Sequence, residues 1–211
     1  MISTAFDYSR ATSVDDAVQV AERLGYPVAL KAVGPSILHK TEHKALHLNL
    51  ENRLAVRRAA ASLTTALGDK MEGLLVQRMV SGGAEMMLGA INDPIFGHVI
   101  VCGSGGVMIE LLADSACRLH PVTNQDAAEM VGVLKGARLL RGFRGNAPAD
   151  EKAFRESVLR ISALVGICPE IQELDVNPLV VLQEGVSALD VRVRVSTSAH
   201  RIAPSTQTQT A

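Results

Sequence analysis

ELDVNPLVV, residues 173–181, and ALDVRV, residues 188–193, are separated by a short polar segment that contains Gln183-Glu184-Gly185. They lie within two β-rich runs, 171–182 and 186–195, so the pattern predicts two strands joined as a hairpin. Pairing of the strands would bring Asn177 near Asp190. An amide oxygen and a carboxylate suit Mg²⁺, which takes few protein oxygens and keeps water or phosphate in its other positions. A capping Asn at a strand end and an unrelated surface Asp would explain the same residues equally well.

The remainder of the chain mixes helix-like and strand-like segments without a strict βαβ order. Ser13, followed three residues later by Asp16, has the spacing of a capping box, and Gly25 is a natural helix stop. The predicted helices are 14–24, 53–67, 123–134 and 149–165, and the other predicted strands are 27–33, 46–50, 73–80, 85–91 and 98–102. Residues 135–146 are expected to be irregular, so we predict a mixed α/β protein with several hairpins.

Composition excludes several classes of protein. The 211 residues are 47% hydrophobic with a net charge of −1, which favours a folded domain and disfavours a nucleic-acid partner. The three cysteines are odd in number and lack CxxC spacing, which argues against a disulfide framework and indicates a reducing cytoplasm. No leader sequence or bilayer-spanning stretch is present, and residues 196–211 are expected to form a disordered tail.

Two segments contain cationic side chains in unusual settings. Lys31 interrupts the apolar strand 27–33, where it either extends to solvent or meets an anion such as phosphate. His39, His43 and His47 are spaced four apart, but Pro35 and the alternation at 46–50 predict a loop running into a strand, not one helix face that binds zinc. The segment is either a solvated basic loop or a phosphate-handling loop with His39 as a nucleophile.

Gly103-Ser104-Gly105-Gly106 follows a predicted buried strand. Glycines permit close approach of backbone N–H groups to phosphate, although an ordinary tight turn has the same composition and neither classical nucleotide motif is present. Glu110 lies just beyond, within an apolar run, where its carboxylate needs a partner.

Five motifs in order resemble one known family. They are GYPVALKAVGPSILHKT (25–41), LLVQRMVSGGAEMMLGAINDPIFG (74–97), VCGSGGVMIELLAD (101–114) with RLHPV (118–122), LKGARLLRGFRG (134–145), and ELDVNPLVV with ALDVRV. Together they resemble the ATP-grasp domain of NDP-forming acyl-CoA synthetases, typified by ADP-forming acetate–CoA ligase and more distantly by succinyl-CoA synthetase β-subunits. The resemblance implies an α/β fold of the α+β kind, with two lobes built on mixed sheets that hold ATP or ADP between them.

The resemblance assigns nucleotide-binding roles by matching position. Lys31 resembles the lysine that contacts the nucleotide, Gln77 lies in the segment lining the adenine pocket, and Glu85 matches an acid on the ribose side. Asn177 and Asp190 match the magnesium ligands.

It also implies roles near the phosphates. His39 matches the histidine of the family's HK loop, which is implicated in passing phosphate, and is the expected catalytic residue. Gly105, Gly106 and Glu110 lie in a motif near the phosphates, and Arg118 matches an arginine in the RLxP extension of that motif.

The implied reaction is acyl-CoA + ADP + phosphate ⇌ acid + CoA + ATP. Phosphate travels as phosphohistidine between a CoA-binding module and the grasp domain, so a CoA-binding or ligase partner is expected to supply the acyl-CoA and acid sites. Lysines, backbone amides and Mg²⁺ would offset the charge that is transferred.

This sequence departs from the family pattern at two places. Lys44-Ala45 stands where the family usually has Gly-Gly, and the first helix and strand of the family's domain are missing before residue 10. We expect an extension at 1–9, the grasp domain at 10–195 and the tail at 196–211. Two alternatives to a catalytic subunit are a nucleotide-sensing domain of a protein acyltransferase and a non-catalytic remnant.

Overall fold

The chain divides into two units after Gly82. A computed structural model describes residues 8–35, 37, 45–106, 113–143, 145 and 147–196. One unit spans Thr4–Gly82 and the other spans Gly83–Ala211. In the described part of each unit, helices pack on one face of an antiparallel sheet.

Among its described residues, the first unit is a four-stranded sheet with two helices. Its elements are β1 (Tyr8–Ala11), α1 (Val14–Leu24), β2 (Val28–Val33), β3 (Leu46–Leu50), α2 (Arg53–Leu67), a 3₁₀ turn (Gly68–Lys70) and β4 (Gly73–Arg78). The strand order is β1-β4-β2-β3. Helix α1 begins where the Ser13 hydroxyl accepts the N–H of Asp16, and it ends at Gly25, whose φ of 82° favours glycine.

Alternation along β2 separates the core face of the first unit's sheet from the opposite face. Val28, Leu30 and Ala32 are fully buried among apolar residues of α1 and α2. The intervening residues, which include Lys31, point to the face of the sheet that the helices leave uncovered.

The part of the second unit that the structure describes is a six-stranded sheet with three helices. Its elements are β5 (Ala84–Asp93), β6 (Gly97–Ser104), β7 (Ser115–Leu119), α3 (Asn124–Val133), α4 (Ala137–Leu140), α5 (Glu151–Ile167), β8 (Ile171–Val181), β9 (Val186–Ala188) and β10 (Val191–Val195). The strand order is β10-β8-β5-β6-β7, with β9 also paired to β8. Its core lies between α5 and one face of the sheet, where Phe154 of α5 and Met86 and Leu88 of β5 are fully buried.

The structure confirms the predicted helices and the hairpin, and it corrects several details. The described strand pairings are antiparallel, so the sheets are not mixed. Strands β1 and β7 were not predicted, and α4 lies within the segment expected to be irregular. The capping box is incomplete because the Asp16 carboxylate accepts the N–H of Thr12 at 2.9 Å, where a box requires the N–H of Ser13.

Ser196 donates its N–H to the Glu170 carbonyl at 2.9 Å, and residues 197–211 of the predicted tail lie outside the described residues. Among the helices that the structure describes, none has both the length and the apolar character needed to cross a membrane.

Candidate functional site

The β8 hairpin brings Asn177 next to Asp190, as its sequence pattern predicts. Val191 of β10 pairs with Val176 of β8, and the N–H of Asn177 donates to the Asp190 carbonyl at 3.0 Å. The apolar run after the turn divides into β9 and β10, and Asp190 lies at the break between them. Both residues are partly buried, so their side chains are held at a rigid strand junction.

The glycine-rich segment at the end of β6 reaches the same place. The N–H of Gly106 donates to Asn177 Oδ1 at 3.2 Å, and the N–H of Gly105 donates to the Glu85 carbonyl at 2.9 Å. Both N–H groups therefore donate within the protein. The Gly106 bond also orients the Asn177 amide with Oδ1 toward this junction, and an amide oxygen has two lone pairs.

Close packing explains why both positions are glycine. A Cβ at Gly105 would overlap the backbone of Met86, and a Cβ at Gly106 would overlap the Glu85 carboxylate. Gly106 also has a φ of 60°, which L side chains rarely adopt. Glu85, Gly106, Asn177 and Asp190 therefore converge on one corner of the second unit.

The oxygen donors at this corner suit a hard cation. Asn177 offers an amide oxygen, and Asp190 and Glu85 offer carboxylates, which is the chemistry that Mg²⁺ prefers. Within the described residues, no group of three or more His, Cys, Asp or Glu side chains is placed to hold a metal by itself. Mg²⁺ is commonly held by one or two protein side chains and completes its coordination with water or phosphate oxygens.

Asp175, which the sequence analysis did not single out, adds negative charge nearby. Its pKa is raised, first because burial disfavours the ionised form, although Arg192 opposes that effect and Asp190 and Glu173 add to it. Asp175 pairs with Gly89, so alternation places it on the helix-free face together with Glu85. Arg192 lies opposite Asp175 and Arg194 contacts Glu173 at 3.2 Å on the same strand pair, so both signs of charge are present around Asp175.

A buried network centred on Asp114 also escaped the sequence analysis. Its Oδ2 accepts the Ser104 hydroxyl at 2.7 Å and the N–H of Gly136 at 2.7 Å, while its Oδ1 accepts the N–H of Lys135 at 2.8 Å. Burial is the largest influence and raises the Asp114 pKa, but the hydrogen bonds from Ser104, Gly136 and Lys135 together lower it below its ordinary value. Asp114 is therefore held as a carboxylate at neutral pH.

In the first unit, Lys31 and Gln77 share the helix-free face of the sheet. Ala29 pairs with Gln77 and Lys31 pairs with Leu75, so the two polar side chains are diagonal neighbours. Lys31 is 7% exposed and Gln77 is 6% exposed. The interpretation that Lys31 extends to solvent is therefore wrong.

The remaining predicted residues differ in what the structure says of them. Arg118 lies on β7 opposite Ile100, and its guanidinium contacts Glu129 at 3.3 Å and Asp126 at 3.8 Å on α3, not the Gly106 corner. His39 and Glu110 lie outside the described residues.

Ala45, at the departure from the family pattern, is fully buried in the core of the first unit. Its carbonyl accepts the N–H of Ala32 at 2.9 Å. The methyl group that replaces a glycine is therefore accommodated by packing.

Residues 3–195 match the model of the ATP-grasp domain. The chain belongs to the ATP-grasp family. Acetate–CoA ligase [ADP-forming] I of Archaeoglobus fulgidus is 41% identical over 192 residues, which is 88% of this chain and 28% of that protein. Acetate–CoA ligase [ADP-forming] II subunit beta of Pyrococcus furiosus is 35% identical over 191 residues, covering 88% of this chain and 81% of the subunit.

Solved structures of an acetyl-coenzyme A synthetase from Ca. Korarchaeum cryptofilum share this ATP-grasp fold. One, in complex with coenzyme A, Ca-AMPCP and HgCl⁺, has a TM-score of 0.83 at 33% identity and covers 90% of this chain and 85% of its own. Another contains coenzyme A and Mg-AMPPCP, with a phosphohistidine segment pointing towards the nucleotide binding site; its TM-score is 0.76 at 31% identity, covering 90% and 84%. This ATP-grasp chain spans 28% of the Archaeoglobus ligase but most of the Pyrococcus subunit.

The packing at Gly105 predicts a stability difference between two glycine substitutions. Gly105→Ala would force its Cβ into the Met86 backbone, whereas a Cβ at Gly132 in α3 meets nothing within 4 Å. We expect Gly105→Ala to lower the free energy of unfolding by about 1–3 kcal/mol and Gly132→Ala to raise it by about 0.5–1 kcal/mol. Urea denaturation followed by circular dichroism measures both, and equal effects would contradict the packing described.

The Asp114 network predicts a specific pH dependence of stability. Hydrogen bonds hold the folded pKa of Asp114 below the unfolded value of about 3.9, so its stabilisation is complete above that value and is lost as pH falls through the folded pKa. Asp114→Asn should cost about 1–3 kcal/mol at pH 7. In urea titrations from pH 7 downward, this cost should shrink in strongly acid solution, and a cost that stayed constant would contradict the assigned charge.

Proposed function

We propose that this chain is the nucleotide-binding part of an ADP-forming acid–CoA ligase, which catalyses acyl-CoA + ADP + phosphate ⇌ acid + CoA + ATP. The observation that carries the proposal is the corner at which Gly106 contacts Asn177 and Asn177 contacts Asp190, in a chain of the ATP-grasp family. The similarity to two ADP-forming acetate–CoA ligases supports the reaction type. A small carboxylic acid is the corresponding substrate class.

We propose that Asn177 and Asp190 hold Mg²⁺ at the second unit's corner. The bound ion would neutralise phosphate charge and align the phosphate oxygens during transfer. Glu85, Gly105 and Gly106 lie beside these ligands and are proposed to border the nucleotide. The Mg-AMPPCP complex of the similar Korarchaeum protein supports magnesium as the ion.

In the first unit, Lys31 and Gln77 are the proposed nucleotide contacts. The proposal is supported by the positions of these two buried side chains, which are neighbours on the helix-free face of the sheet. The sheet orients the Lys31 ammonium and the Gln77 amide before a ligand binds. The ammonium would contact phosphate oxygens, and the Gln77 amide would hydrogen-bond the base.

We propose His39 as the phosphate carrier. A ring nitrogen of His39 would attack the terminal phosphorus of ATP, the bond to the bridging oxygen would break, and ADP would leave with that oxygen. The HK segment of the sequence and the phosphohistidine segment of the similar Korarchaeum protein support this role.

The proposed partner is a CoA-binding subunit or module. Its support is the coverage of the relatives: this chain matches about a quarter of the Archaeoglobus ligase but 81% of a separate β-subunit in Pyrococcus. Acyl-CoA and acid would bind to that partner.

Removing the proposed metal ligand should weaken nucleotide binding. Asp190→Asn is expected to reduce the affinity for Mg-ATP at least about tenfold, since metal sites lose this much even when a supporting residue is removed. Glu184→Gln is the matched control because it removes an exposed carboxylate from the same hairpin. Isothermal titration calorimetry with and without magnesium measures both variants, and equal Mg-ATP affinities would exclude Asp190 as a ligand.

Replacing the proposed carrier should abolish phosphorylation. With [γ-³²P]ATP and magnesium, the wild-type chain mixed with its CoA-binding partner should incorporate acid-labile, base-stable label, and His39→Asn should not. His43→Asn is the control because it replaces a histidine of the same segment. Label retained in His39→Asn would overturn the assignment, and magnesium-dependent binding without label in any variant would instead favour a nucleotide-sensing domain.

A further inference from the structure

Asp114 occupies a position that the proposed reaction does not use directly. It is 8% exposed, precedes β7, and lies in the second unit beside Ser104, the last residue of β6, which is 1% exposed. Any role of Asp114 in binding rests on the proposed function, because it concerns the metal and phosphate end of the same site.

Both carboxylate oxygens of Asp114 are used. Three donors reach them, from the Ser104 hydroxyl and from the backbone of Lys135 and Gly136, all at 2.7–2.8 Å. The Ser104 N–H also donates to the Asp114 carbonyl at 3.0 Å, so side chain and backbone both fix Ser104. A carboxylate that accepts several hydrogen bonds in a buried setting is a rigid anchor.

Two glycines leave room for this anchor. A Cβ at Gly136 would overlap the Ser104 hydroxyl and lie 3.2 Å from Asp114 Oδ2. A Cβ at Gly103 would lie 2.5 Å from the Asp114 carbonyl. The network therefore requires small residues on two separate segments in addition to the acid itself.

Ser104 is followed directly by the residues that contact the proposed metal site. Gly105 is held by the Glu85 carbonyl, and the Gly106 N–H orients the Asn177 amide oxygen. Asp114 thus lies at one end of a short covalent and hydrogen-bonded path that ends at a proposed magnesium ligand.

We infer that Asp114 is a positioning residue, which fixes Ser104–Gly106 so that Gly106 holds Asn177 Oδ1 in the orientation that binds magnesium. Asp114 touches neither metal nor nucleotide. Its effect is expected on the magnesium-dependent part of nucleotide binding and not on the contacts of the first unit.

Asp114→Asn tests the inference because the amide must turn its NH₂ group toward at least one of the existing donors. We expect the affinity for Mg-ADP to fall about tenfold, while that for ADP in EDTA changes less than about twofold, as for residues that support metal ligands. Ser104→Ala removes only the hydroxyl that donates to Asp114. It should lower the ratio of Mg-ADP affinity to ADP affinity by less than Asp114→Asn does. Calorimetry on each chain, shown to be folded by circular dichroism, measures these affinities.

Asp150→Asn is the matched control. Asp150 also accepts two backbone N–H groups, from Ala153 and Gly185 at 2.9 Å, and anchors the start of α5. The Asp150→Asn chain should be less stable than the wild type but keep the wild-type ratio of Mg-ADP affinity to ADP affinity. An unchanged affinity ratio in both Asp114→Asn and Ser104→Ala would overturn the inference, and so would an equal fall of this ratio in Asp150→Asn. A wild-type chain without magnesium-dependent nucleotide binding would instead overturn the proposed function itself.

Discussion

The hydrogen bond from Gly106 to Asn177 Oδ1 is the contact on which the candidate site depends. It joins residues 71 positions apart, and it can form only because β5 pairs with β6 on one side and β8 on the other. A Cβ at Gly105 would overlap the Met86 backbone of β5, and a side chain at Gly106 would be strained by its φ of 60° and would have to push the Glu85 carboxylate aside. The orientation of Asn177 Oδ1 thus depends on the strand order of the second unit, through this one hydrogen bond.

The charged side chains near this corner determine which ligands it suits. Glu85 and Asp175 lie on the helix-free face and Asp190 lies at the adjoining strand break, while Arg192 is paired opposite Asp175. Burial is the main reason that the pKa of Asp175 is raised. Arg192 lowers this pKa, and the neighbouring acids Asp190 and Glu173 raise it further. Gathered carboxylates repel one another, and a divalent cation with bound phosphate would relieve that repulsion.

The sequence could predict what local patterns encode. Alternation and a polar turn were sufficient for the hairpin, and hence for the approach of Asn177 to Asp190. The Asp114 network was not predictable because its donors lie 10, 21 and 22 residues away and no local pattern marks such contacts. The sequence left the burial of Lys31 undecided for a related reason, since strand periodicity gives a face but not what surrounds it. Strand β7 was not predictable because its sequence, SACRL, lacks the apolar–polar alternation that marks the equally short β3.

The most direct measurement of the central claim is paramagnetic broadening in ¹H–¹⁵N NMR spectra when Mn²⁺ replaces Mg²⁺ with ADP. The account predicts that the backbone amide of Gly106 and the side-chain amide of Asn177 lose intensity at the lowest Mn²⁺ additions, before Gly132 in α3. Broadening centred on the α3 acids Asp126 and Glu129, with Gly106 and Asn177 still sharp, would contradict it.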